Sequence, residues 1–237
     1  MQLPKLDTPT YELKIPSTGQ MLKYRPFLVK EEKILLVAQE SGKTEDIARA
    51  TIQIINACTF DKIDANKIPV FDAEYILLQL RAKSIGEKTK MKLLCQDDMK
   101  TFVETEIDLT EIEVLMEPGH TNKIILDEER NLGIVFGYPS YELATQGVDM
   151  GGTDVDGIFK MLTSCVDHIF EGETIYNSKD MKKEDLIEFI DSMKTSQFEK
   201  VQKFFETMPK LAREYTMTNP NTGVKSSVIL KGLNDFF

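Results

Sequence analysis

The spacing of apolar residues along this chain changes four times, and each change marks a switch of element type. Tyr11, Leu13 and Ile15 alternate with polar residues, and Leu22 and Tyr24 resume the alternation after Pro16-Ser17-Thr18-Gly19. Period two on either side of a turn-forming cluster predicts a hairpin. From Phe27 the spacing lengthens to three and four. Phe27, Ile34, Leu35 and Ala38 then share a helical face, and Gly42 stops the helix. A second helix follows, with Thr44 as its N-cap, Glu45 and Asp46 in its first turn, and a stripe of Ile47, Ala50, Ile54 and Ala57. Asp72 caps a third helix, which buries Ile76, Leu77, Leu80 and Ile85 and ends at Gly86.

Period two returns at Lys88. Residues 88–96 and 101–109 predict paired strands around Asp97-Asp98, with shorter strands at 112–116, 123–126 and 133–136. Past Pro139 the pattern is helical again. The stretch 155–171 predicts one helix with Ile158, Leu162, Cys165 and Ile169 inward, and 172–181 a loop or short strand. A helix starting near Asp180 is followed by one opened by a Ser196/Glu199 capping box, with Phe198, Val201 and Phe205 on its buried face. The chain closes on a strand, turn and strand. These elements predict an α+β fold with helical segments flanking a β-rich insert. Three segments are expected within one compact unit: 1–87, the N-terminal hairpin and helical layer; 88–138, the β-rich insert; and 139–237, a helical segment ending in a C-terminal hairpin.

Two of the hairpins look alike. KLLCQDDMKTFVETEIDL and EYTMTNPNTGVKSSVIL both place a four-residue turn between alternating strands. A zinc ribbon would bracket each turn with two cysteines. Here the bracketing residues are Cys95 with Asp98, and Asn219 with Thr222, so one thiol of four is present. Asn and Thr are poor zinc ligands. The expectation is a pair of zinc-ribbon-like hairpins that have lost most metal ligands, held by packing and turn hydrogen bonds, with no metal and no cofactor.

Composition narrows the function. A hydrophobic fraction of 41% supports a packed core. A formal net charge of −10, spread along the chain, disfavours nucleic acid and anionic membranes as partners. The cysteines Cys58, Cys95 and Cys165 are not at ligand spacing, as expected of reduced thiols in a cytoplasm. No apolar run has the length of a signal peptide or a membrane span. Cys165 and His168 are three residues apart, but Cys165 lies on an apolar stripe, where cysteine acts as a small hydrophobe. Acidic pairs such as Glu184-Asp185 read as helix-start charge. GGTDVDG at 151–157 lacks the ending of a P-loop and the spacing of an EF-hand, and reads as a flexible lead-in capped by Thr153 or Asp154. No catalytic residue is assigned. The interaction candidates are aromatic: Phe204, Phe205, Tyr215, Phe236 and Phe237. Phe204 and Phe205 point to different sides of one helix, and a chain end must dock to be ordered.

Longer blocks carry a resemblance. LDTPTYELKIPSTGQMLKYRPFLVKEEK, RAKSIGE, PGHTNKIIL, EFIDSM with QFEKVQKFFETMPKL, and NPNTGVKSSVILKGLNDFF together resemble the baseplate hub subunit family of T-even-type contractile-tailed bacteriophages. The resemblance covers nearly the whole chain. It implies a structural or assembly protein of the tail baseplate hub, acting through protein–protein binding and not as an enzyme. The partners it implies are other hub or tail proteins, with self-association left open. The protein would reside in the host cytoplasm during assembly and then in the virion tail. The alternatives are a transient assembly chaperone absent from the virion and, further off, a cell-wall or precursor hydrolase.

Overall fold

The computed structural model describes residues 6–145 and 155–236, so the reading of 151–154 as a capped lead-in lies outside the described residues. Two short strands, β1 (Tyr11–Lys14) and β2 (Met21–Tyr24), precede three helices, α1 (Val29–Ser41), α2 (Thr44–Cys58) and α3 (Val70–Ser84). Five strands follow: β3 (Lys88–Leu94), β4 (Phe102–Asp108), β5 (Glu113–Leu115), β6 (Lys123–Asp127) and β7 (Leu132–Phe136). Next come α4 (Tyr141–Thr145), α5 (Val155–Cys165), β8 (Val166–Glu171) and β9 (Thr174–Asn177). The chain ends with α6 (Lys183–Asp191), α7 (Thr195–Glu206), β10 (Lys210–Thr218), β11 (Lys225–Lys231) and a 3-10 turn over Leu233–Phe236. The fold is α+β. It divides into two compact units, Met1–Leu115 with Lys210–Phe237, and Met116–Pro209. The strands between 88 and 138 are shared out accordingly: β3 to β5 lie in the first unit, β6 and β7 in the second.

In the first unit α3 is buried on nearly every side, from Phe71 to Ala82 apart from a few positions. A helix of that kind belongs at the centre of its unit. It shares a core with Leu93 and Ile107 of the β3–β4 hairpin and Leu211, Met217 and Leu230 of β10–β11. Asp72 does not cap α3, which starts at Val70 after Pro69. Instead its buried carboxylate accepts from the Ser17 amide at 3.0 Å and from the Ser17 hydroxyl, tying the first hairpin to the helix. Thr44 is likewise the first residue of α2 and not its cap. Glu31, on the buried side of α1, accepts from Arg25 at 2.9 Å and from the Leu28 amide at 2.8 Å. Burial pushes the Glu31 carboxyl up, but the bonds from Arg25 and Leu28 outweigh it and the net shift is downward.

In the second unit the strands run β6-β7-β8-β9, all antiparallel. Ile124, Leu126, Ile134, Phe136 and Ile169 face a layer of helices that contributes Leu162, Leu186, Ile190, Val201 and Phe204. The stretch 155–171 is not one helix. Its second half is β8, and Ile169 lies opposite Ile134 in the sheet. Val166, Ile169 and Phe170 are β-branched or aromatic, and pairing with β7 overrides a helical spacing that the short run also fits. The segment read as a loop or short strand is β9. The N-cap of α7 is Lys194, and the Gln197 side chain accepts its amide at 2.8 Å, so Ser196 and Glu199 form no capping box.

Candidate functional site

The turns of the two look-alike hairpins meet. Asn219 is fully buried and its amide nitrogen donates to both Asp97 carboxylate oxygens, at 3.1 and 3.0 Å, and to Asp98 at 3.0 Å. Its carbonyl oxygen accepts from the Asn221 amide at 2.8 Å, which fixes the orientation of the side chain. The Thr222 hydroxyl donates to Asp97 at 2.6 Å, and the Asn221 side-chain amide to Thr101 at 2.9 Å. Each turn is also closed on itself: the Cys95 amide donates to the Thr101 carbonyl at 2.8 Å, and the Asn219 amide to that of Val224 at 2.9 Å. The Thr222 hydroxyl and then Asn219 hold Asp97 below the usual carboxylate range; Thr101 leads the same effect on Asp98. Three of the four bracketing positions thus take part in a polar clamp, joined by Asp97, which the spacing argument did not single out. Among the described residues no group of three or more His, Cys, Asp or Glu side chains is placed to share a metal ion.

The thiols are all buried. Burial raises Cys165 to about 12 and Cys58 to about 11, so neither is poised as a thiolate nucleophile. His168 lies on β8, and its Nδ1 is 2.7 Å from Asp167. The second histidine is more enclosed. His120 Nδ1 is 2.9 Å from the Thr207 hydroxyl, which itself donates to the Lys203 carbonyl, and Nε2 is 3.1 Å from the Tyr138 hydroxyl. Thr207 therefore accepts from Nδ1–H, and neutral Nε2 accepts from Tyr138. Burial lowers the His120 pKa, in keeping with the neutral ring.

The aromatic candidates fall into separate places. Phe204 is 2% exposed, stacked between His120 at 5.2 Å and Phe136 at 5.1 Å, so it fills the core of the second unit and is no exposed anchor. Phe236 is 1% exposed in the core of the first unit. Its 3-10 turn is held by Leu233 donating to Glu74 at 3.3 Å and Lys231 donating to Asp235 at 2.7 Å. Phe205 packs edge-on against Phe204 at 4.8 Å, and Tyr215 lies on the inner face of β10; each keeps part of its ring at the surface. Phe237 lies outside the described residues. Several apolar side chains that spacing does not single out are exposed, among them Met99 and Phe102 beside the first turn and Ile175 and Tyr176 on β9. On the sheet face away from the helices, Val135, Phe170 and Ile175 line a groove of about 460 Å³ bordered by Lys123, His168 and Glu173.

The family model for T4 bacteriophage base plate protein matches residues 8–237. The chain belongs to the T4 bacteriophage base plate protein family. Comparison with curated proteins and with solved structures gives no match. A baseplate protein works among other phage tail proteins. No helix among the described residues is long and apolar enough to cross a membrane.

Proposed function

We propose that this baseplate protein is a structural or assembly component of the tail hub, working by protein–protein binding and without catalysis. Family membership over residues 8–237 carries the reading. The burial of all three thiols supports it. So does the placement of Met99 and Phe102, 61% and 59% exposed, beside a clamped and therefore rigid pair of turns. A rigid apolar tip is the kind of anchor a partner's pocket can bury at low entropic cost. Phe205 and Tyr215 are further candidate anchors. The acidic surface steers basic partners toward the chain.

The test is a tagged chain expressed in infected cells, with partners identified after purification and finished particles quantified by mass spectrometry. Recovery with tail proteins and a fixed stoichiometry in the virion supports the structural reading. Recovery with tail proteins but absence from the virion supports the chaperone reading instead. Failure to recover any tail protein refutes both.

A further inference from the structure

The sheet of the second unit has two edges, and they are treated differently. Along β6 the Ile125 carbonyl accepts from the Lys200 ammonium at 2.8 Å and the Leu126 carbonyl from Gln197 at 2.9 Å, so side chains of α7 occupy that edge. Along β9 no side chain of the described residues takes a comparable place. Every residue from Gly172 to Asn177 is exposed, with Ile175 at 59% and Tyr176 at 46%. The strand itself, Thr-Ile-Tyr-Asn, carries none of the usual guards of an open edge: no proline, no lysine and no bulge. Its hairpin closes on Glu171–Thr174 with two loop residues, Gly172 in the left-handed region. That closing pair and the alternate pair Ile169–Tyr176 are the hydrogen-bonded ones. The N–H and C=O groups of Ile175 and Asn177 therefore point outward from the sheet.

The strand is also complementary to itself. About Tyr176, Glu173 lies three residues before and Lys179 three residues after. We propose that β9 pairs antiparallel with β9 of a second copy about a two-fold axis at Tyr176, joining two four-stranded sheets into one of eight strands. In that register Ile175 of each copy exchanges backbone hydrogen bonds with Asn177 of the other. The two Tyr176 residues face each other in a non-hydrogen-bonded pair, where cross-strand side chains approach most closely. Glu173 lies in the hairpin turn and Lys179 in the 3-10 turn Ser178–Asp180, just beyond the two ends of β9, so this register sets the Glu173 turn of each copy beside the Lys179 turn of the other and favours two opposite-charge pairs. A parallel arrangement, or a shift by one residue, would lose either the outward hydrogen bonds or the charge match. The interface is isologous and closes at two subunits. The paired edge is short, so the dimer is weak and depends on concentration.

Sedimentation equilibrium of the full chain tests this, with Ile175→Pro, Glu173→Lys, Lys179→Glu and the charge swap E173K/K179E. Ile175→Pro removes an amide that faces solvent, so it leaves the β8–β9 pairing intact while blocking the edge. The expected result is a concentration-dependent dimer, lost in Ile175→Pro, weakened tenfold or more by either charge reversal, and restored by the swap. Hydrogen exchange at the Ile175 and Asn177 amides should slow as protein concentration rises. A chain that stays monomeric to near-millimolar concentration overturns the proposal. So does a dimer untouched by Ile175→Pro, or a swap that fails to restore what the single reversals remove. If Ile175→Pro fails to fold, the charge series decides alone.

Discussion

Replacing Gly133 with alanine probes how tightly the four-stranded sheet is closed. Gly133 is buried in β7, opposite Ile125 on one side and Phe170 on the other. A Cβ at this position would lie 2.5 Å from the Ile124 carbonyl oxygen and 2.8 Å from Phe170 Cε1, with the ring's Cζ closer still. Ordinary van der Waals contact begins near 3.5 Å, so the backbone oxygen must retreat by roughly 1 Å. That oxygen belongs to β6, which cannot move without disturbing its ladder to β7. The Phe170 ring is less free to swing than an exposed side chain, since the Lys123 ammonium lies 4.6 Å from its centroid. Overpacking costs about 1–3 kcal/mol, and the backbone share of this clash puts Gly133→Ala near 3 kcal/mol. Urea unfolding measures the loss, and hydrogen exchange should place it in β6 to β8. Adding Phe170→Ala relieves only the ring clash, so a double-mutant cycle should show coupling between the two sites but incomplete recovery. A Gly133→Ala stability within about 0.5 kcal/mol of the parent refutes the reasoning.

Glu31→Gln leaves Arg25 without its counter-charge and should cost about 3 kcal/mol in urea unfolding; replacing both residues with apolar ones should recover most of it. Acid should act in two stages. Neutral His120, its pKa lowered by burial, contributes stability that is present above about pH 6.5 and is lost as pH falls toward the folded value. Asp97 and Asp98, also lowered, contribute stability that is present above about pH 3.9 and lost below it. Denaturant midpoints across pH should therefore lose the first stage in His120→Gln and be blunted in the second by Asn219→Ala. Finally, D98C/N219C/T222C beside Cys95 should bind one zinc per chain by elemental analysis; a folded triple variant that takes up none refutes the knuckle-like arrangement of the turns.

Local pattern was enough for elements whose chemistry is local. The first hairpin, the stop at Gly42 and the turn at Asp97-Asp98 follow from residues within a few positions of one another. Thr44, Asp72 and Ser196 look like caps from their residue type, but the N-caps are Lys43, Pro69 and Lys194. An N-cap is defined by backbone geometry, and Asp72 is claimed by Ser17 from a distant hairpin. The helix–strand break at Cys165–Val166 is hidden because Ile169 continues the helical spacing of Ile158, Leu162 and Cys165, yet it lies in a strand that pairs with β7. Burial of Phe204 and Phe236 depends on partners far along the chain, His120 and Phe136 for one and the α3 core for the other. The clamp lay between these extremes. Spacing picked out Cys95, Asp98, Asn219 and Thr222, but only the meeting of two turns more than a hundred residues apart gives Asp97 its part.

The first unit is assembled from both ends of the chain. Leu115 pairs with Lys210, and Asn219 clamps Asp97. During translation the whole second unit emerges before the first can close. At usual ribosome speeds that interval is on the order of ten seconds. Until β10 and β11 arrive, the core that α3 shares with the β3–β4 hairpin lacks Leu211, Met217 and Leu230, and a nascent chain halted near Pro209 would carry a finished second unit beside a sticky, incomplete first one.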